Sequence, residues 1–107
     1  MAARYAASHG DELAGLILLG AYPTESLPAD LVEILIVGSE DRVVKRSKIE
    51  KGREFASSRY YEESIEGGNH AQFGSYGAQK GDGLPSISAT EQIEETVRIV
   101  LDRFASA

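Results

Sequence analysis

Two unbroken apolar runs, each closed by a glycine, constrain this chain more than any other feature. Leu13-Ala14-Gly15-Leu16-Ile17-Leu18-Leu19 ends at Gly20, and Ile34-Leu35-Ile36-Val37 ends at Gly38. Short continuous runs of this kind, rich in β-branched and aliphatic residues, are the pattern of strands buried on both faces of a parallel sheet. A looser alternation over Arg59 to Glu66, with Tyr60, Tyr61 and Ile65, predicts a third strand that is less buried and nearer a sheet edge. Parallel strands need covering helices, and three segments have helical signals. Ala2, Ala3, Ala6 and Ala7 make 1–9 a helix with a small face, stopped by Gly10. The stretch from Val43 to about Ser57 sets Ile49, Gly52 and Phe55 on one side and Lys and Glu on the other. Gly52 costs about 1 kcal/mol in a helix interior, which is acceptable where the helix backbone lies close to the sheet.

Ser88-Ala89-Thr90-Glu91 matches a capping box and predicts a last helix to about Phe104. Ile93, Val97, Val100, Leu101 and Phe104 are its expected core stripe. Between the first two strands, Ala21 to Ala29 carries Pro23 and Pro28, so it reads as a loop too short for a convincing crossover helix. The expected order is helix, strand, loop, strand, helix, strand, long loop, helix: an α/β sheet of about three parallel strands with flanking helices. Its 107 residues form one domain.

Composition narrows the function classes. A net charge of −6 argues against a nucleic-acid surface, and the basic residues between Arg42 and Arg53 are interrupted by Glu50. There is no Cys, so disulfides and thiolate metal sites are excluded. No apolar run approaches the ~20 residues of a membrane span, so no membrane partner is expected of this segment.

The chemistry-bearing residues stand just past the strands. Asp41 lies in Gly38-Ser39-Glu40-Asp41-Arg42-Val43-Val44, after the second run. His70 lies in Gly67-Gly68-Asn69-His70-Ala71-Gln72-Phe73, after the third. Open parallel sheets carry their ligands and chemistry at the carboxyl ends of strands. If the two strands are neighbours, as a right-handed crossover through the intervening helix places them, Asp41 can meet one ring nitrogen of His70. Each residue also has a bland reading. An Asp between strand and helix commonly caps the helix, and a loop His flanked by Gly commonly serves as a structural hydrogen-bonder. His9, in the last turn of the first helix, fits a dipole role better than a catalytic one. Glu40, Asp41, His70 and Asp82 lack any recognised metal-ligand spacing, so no metal is expected. The loop 67–86 is rich in Gly but lacks Gly-Lys-Ser/Thr, so no nucleotide cofactor is expected.

Met1-Ala2-Ala3-Arg4-Tyr5-Ala6, the Gly38 to Val44 segment, and Gly67 to Gly77 together resemble the C-terminal portion of an α/β-hydrolase of the dienelactone-hydrolase-like, serine esterase type. The resemblance runs over essentially the whole chain and implies the C-terminal half of that fold. It implies that Asp41 is the triad acid and His70 the triad base, with a carboxylic ester or lactone as substrate. In that family the Ser elbow, Gly-x-Ser-x-Gly, directly precedes the Met-Ala-Ala helix opening. No Ser of this chain lies in such a motif. Ser75, in Phe73-Gly74-Ser75-Tyr76-Gly77, and Ser39, beside the acid, are the nearest substitutes. The first helix also has no N-cap residue ahead of it, so the chain is expected to begin inside a structural unit. Three expectations follow: a hydrolase half completed by an N-terminal segment, an inactive fragment that self-associates as a homo-oligomer through an open strand edge, or a binding module using the Gly68 to Gly83 loop.

Overall fold

The computed structural model describes residues 2–9, 13–74 and 77–106. Gly10, expected as a helix stop, and Ser75 lie outside the described residues. Helix α1 spans Ala2–His9, strand β1 Gly15–Leu19, strand β2 Val32–Gly38, helix α2 Arg46–Gly52, strand β3 Arg59–Ile65 and helix α3 Ala89–Ser106. Single 3₁₀ turns lie at Arg53–Phe55 and Ala71–Phe73. The strands form one sheet in the order β1-β2-β3, parallel throughout. Ile17 pairs with Ile34, and Ile34 with Tyr61. No helix among the described residues is long and apolar enough to cross a membrane.

Strand β2 is the centre of the molecule, and all seven of its residues are buried. Its side chains alternate between two cores. Leu35 and Val37 join Ala6, Leu16, Leu18 and Ile49 beneath α1 and α2. Val32, Ile34 and Ile36 join Ile65 and Ile99 beneath α3. Helices on both faces explain why this run is continuous rather than alternating. Strand β1 departs from expectation. Leu16 and Leu18 are buried, but Ile17 and Leu19 on the other face are more than one-third exposed. Strand β1 is covered on this face only at its start, where Phe104 of α3 packs on Gly15, and α3 otherwise lies over β2 and β3. Strand β3 is an edge strand, as its looser alternation predicts.

The middle helix is shorter than expected, beginning at Arg46 and tightening into the 3₁₀ turn after Gly52. A Cβ on Gly52 would stand 3.1 Å from Pro23 Cδ and 3.2 Å from Tyr22 Cβ. The close neighbour is therefore the loop after β1, not the sheet.

The expected core stripe of α3 is also corrected. Ile93, Val97 and Leu101 are each at least half exposed, whereas Gln92 and Ile99 are buried and Val100 and Phe104 pack on the core. The helix is rotated so that an amide, not an aliphatic residue, faces inward at its first turn. The capping box forms as expected: Ser88 N–H donates to Glu91 Oε1 at 3.0 Å and Glu91 N–H to Ser88 Oγ at 3.1 Å.

Candidate active site

The sheet delivers three loops to the carboxyl ends of its strands. Gly20 follows β1, Asp41 follows β2 and His70 follows β3. The loops after β2 and β3 are locked together by backbone. Ser39 N–H donates to Ile65 O at 2.9 Å, and Glu40 N–H to Gly68 O at 2.8 Å. A Cβ on Gly38 would stand 2.3 Å from Gly68 O, so only glycine allows this approach. The Ser39 hydroxyl accepts from Gly67 N–H at 2.7 Å, and that bond makes it a loop tie.

This closure brings Asp41 and His70 together. His70 Nδ1 lies 2.8 Å from Asp41 Oδ2. The Asp41 side chain is fully buried, whereas that of His70 is 23% exposed, so the imidazole alone is reachable from solvent. Asp41 Oδ1 accepts from Val43 N–H at 2.9 Å and Val44 N–H at 3.0 Å. Asp41 does not cap α2, whose N-cap is Lys45 without a side-chain bond. One oxygen braces the turn ahead of α2 and the other receives the imidazole. The buried carboxylate is satisfied by three donors, as a buried charge requires. With Oδ2 as acceptor, Nδ1 carries the proton and Nε2 presents a lone pair. Nε2 has no hydrogen-bond partner among the described residues. A histidine in this state is able to take a proton from a neighbouring hydroxyl or water.

Four further residues build the site, and of these the sequence reading weighs only Asp82, as a metal ligand. Gly20 forms the floor. Its φ is +61°, and a Cβ there would stand 2.7 Å from His70 Nδ1 and 3.0 Å from Asp41 Oδ2. Its only sequence signal is its place at the end of an apolar run. Gln92 holds the His70 loop from behind: its Oε1 accepts from Asn69 N–H at 3.1 Å and its Nε2 donates to Asn69 O at 2.8 Å. Asn69 itself braces the 3₁₀ turn, its Oδ1 accepting from Gln72 N–H at 3.0 Å. Asp82 receives four backbone N–H groups, from Ala71, Arg42, His70 and Gly83. Burial alone would raise its carboxyl, but those four bonds outweigh burial and hold it below the usual carboxylate range.

The remaining candidates lie elsewhere or are otherwise engaged. His9 stacks on Tyr5 with ring centroids 4.0 Å apart and bonds Tyr5 O through Nδ1 at 3.1 Å. Glu40 pairs with Arg42 at 3.5 Å. Among the described residues no three His, Asp or Glu side chains converge as metal ligands.

Asp41 and His70 stand at the carboxyl ends of adjacent parallel strands, and the profile of the Alpha/beta hydrolase family matches residues 1–94. The chain belongs to the α/β-hydrolase family. No curated protein and no solved structure gives a significant match. In α/β-hydrolases the acid precedes the histidine along the chain, the order in which Asp41 and His70 occur here.

Proposed function

We propose that this chain carries the acid and base of a serine hydrolase acting on a carboxylic ester or lactone, in the manner of the dienelactone-hydrolase-like type. The 2.8 Å bond between Asp41 Oδ2 and His70 Nδ1, with Nε2 facing no other partner among the described residues, carries the proposal. In this reading Asp41 fixes the tautomer and stabilises the imidazolium, and His70 Nε2 takes the proton of a serine hydroxyl as it attacks the acyl carbon. The same proton then passes to the departing alcohol, and His70 next activates water against the acyl-enzyme. The serine and its oxyanion hole belong to an N-terminal segment that completes the site. An open cavity of about 540 Å³, lined by Ala3, Arg4, Gly20, Ala21, Tyr22 and Thr24, adjoins the dyad through Gly20 and offers the approach for substrate.

Complementation tests this. An N-terminal hydrolase half ending in Gly-x-Ser-x-Gly is supplied in cis or in trans, and hydrolysis of short-chain p-nitrophenyl esters is followed. The expected result is serine-dependent turnover that falls about 10⁴-fold in Asp41→Asn or His70→Ala. An assembled, folded complex without turnover overturns the proposal.

A second reading rests on strand β1. Its outer edge has no strand partner among the described residues, and Ile17 and Leu19 are exposed beside it. Such an edge is a template for pairing with another chain. We infer that the chain by itself is an inactive homo-oligomer joined at this edge. Light scattering coupled to size-exclusion chromatography reads the mass directly. A dimer or larger species that Ile17→Lys converts to monomer supports it, and a stable wild-type monomer sinks it.

A further inference from the structure

We infer that Asp82 is a positioning residue for the dyad, tying the backbone of the acid's loop to the backbone of the base's loop; this rests on the hydrolase reading of Asp41 and His70. Its Oδ1 accepts from Arg42 N–H at 3.2 Å, from His70 N–H at 3.3 Å and from Gly83 N–H at 2.9 Å. Its Oδ2 accepts from Ala71 N–H at 2.9 Å. Arg42 is the residue after the acid, and His70 and Ala71 are the base and its successor. Asp82 closes the far end of the loop that begins at His70: two of its donors, His70 and Ala71, lie 12 and 11 residues back at the base, and a third, Arg42, belongs to the acid's loop 40 residues away.

The surrounding geometry points the same way. A Cβ on Gly83 would stand 2.0 Å from Glu40 O, so the Asp82-Gly83 backbone is pressed against the acid's loop. On the opposite side Asn69 Nδ2 donates to Gly83 O at 3.0 Å. Gly81, with φ +85°, makes the turn that aims the carboxylate inward. The Gly81-Asp82-Gly83 triplet is thus a wedge set between the two loops. The ionised carboxylate holds it through charge-assisted bonds, which are stronger than neutral ones. The dyad bond is short only while the two loops keep this spacing, and an error of 1 Å in such a pair is catalytically costly.

The test reads the imidazole rather than overall stability. The His70 Nδ1–H proton gives a low-field NMR resonance when bonded to Asp41, and its loss in Asp41→Asn assigns it. In Asp82→Ala this resonance is expected to vanish or broaden while the signals of Val32 and Ile99 in the core stay in place. Asp82→Asn, which keeps one acceptor oxygen but turns an amide N–H toward Ala71 N–H, is expected to weaken it. In the complemented enzyme Asp82→Asn is expected to lower kcat at least tenfold with little change in KM. A wild-type resonance in folded Asp82→Ala and Asp82→Asn overturns the inference. Amide hydrogen exchange in the unsubstituted chain gives an independent reading if both variants fail to fold. Arg42, His70, Ala71 and Gly83 are then expected to open together, and independent opening of Arg42 and Ala71 overturns the inference. The resonance needs no turnover. An inactive complemented enzyme whose resonance still depends on Asp82 therefore counts against the hydrolase reading and leaves the Asp82 tie standing.

Discussion

At the scale of single residues, the site is defined as much by what Gly20 lacks as by what Asp41 and His70 possess. Adding one methyl at position 20 forces an L-residue to φ +61° and drives a carbon to 2.7 Å from His70 Nδ1. Gly20→Ala is therefore expected to cost about 1–3 kcal/mol of stability and to separate the imidazole from Asp41, seen as loss of the Nδ1–H resonance. Glu33 is a residue of the opposite kind. It is fully buried in the middle strand, its Oε1 accepts from Ser57 N–H at 2.9 Å, and its Oε2 has no partner among the described residues. Burial raises its pKa, partly offset by the Ser57 N–H bond. A raised native value means that the protonated form stabilises the fold fully below the unfolded carboxylate pKa, near 4.3. That contribution is lost as pH rises through the native value. Glu33→Gln removes the charge, and is expected to raise stability at pH 7.5 by on the order of 1 kcal/mol, with the gain shrinking toward pH 4. Thermal melts of both proteins at the two pH values check the sign.

At the scale of elements, the strands and helices were legible because their signals are local. Unbroken β-branched runs at Ile34 to Val37, turn glycines at 20 and 38, and the capping box at Ser88 each act within a few residues of themselves. The facing of α3 was not legible, because a distant loop decides it. Apolar periodicity favours Ile93 and Val97 inward, yet Gln92 takes the buried position because Asn69 offers it both a donor and an acceptor. A satisfied amide pair outweighs one more aliphatic contact where the alternative is an orphaned backbone N–H. Substitutions on the two sides of the helix separate these terms. Gln92→Leu keeps the volume but strands Asn69, and is expected to cost roughly 2–4 kcal/mol in denaturant unfolding. Val97→Gln, on the exposed side, is expected to stay within about 0.5 kcal/mol of the parent. The site shows the same division. Asp41 and His70 were visible as polar residues just past strands, whereas Gly20 and Asp82 act across separations of 50 and 12 residues from His70.

At the scale of the whole molecule, one parallel sheet gathers residues from far apart in the chain onto one edge, with two faces covered unequally. The middle strand is sheathed by helices, while β1 is sheathed along its length on one side only. The open edge of β1 is expected from the sequence, but its bare face is not: the run reads as buried on both faces, since Leu16 to Leu19 are all aliphatic. The grip of Gln92 on Asn69 carries a consequence for the order in which the molecule assembles. Asp41 reaches its turn through bonds to Val43 and Val44 close by in the chain. Asn69, the residue before His70, is held by a side chain from the last helix, 23 positions further on. Contacts that close long loops form late, once the nearer ones are in place. The hydrogen bond between His70 and Asp41 is then a clock for the end of folding, and stopped-flow refolding watched at the imidazole and at α3 is expected to give one shared slow phase.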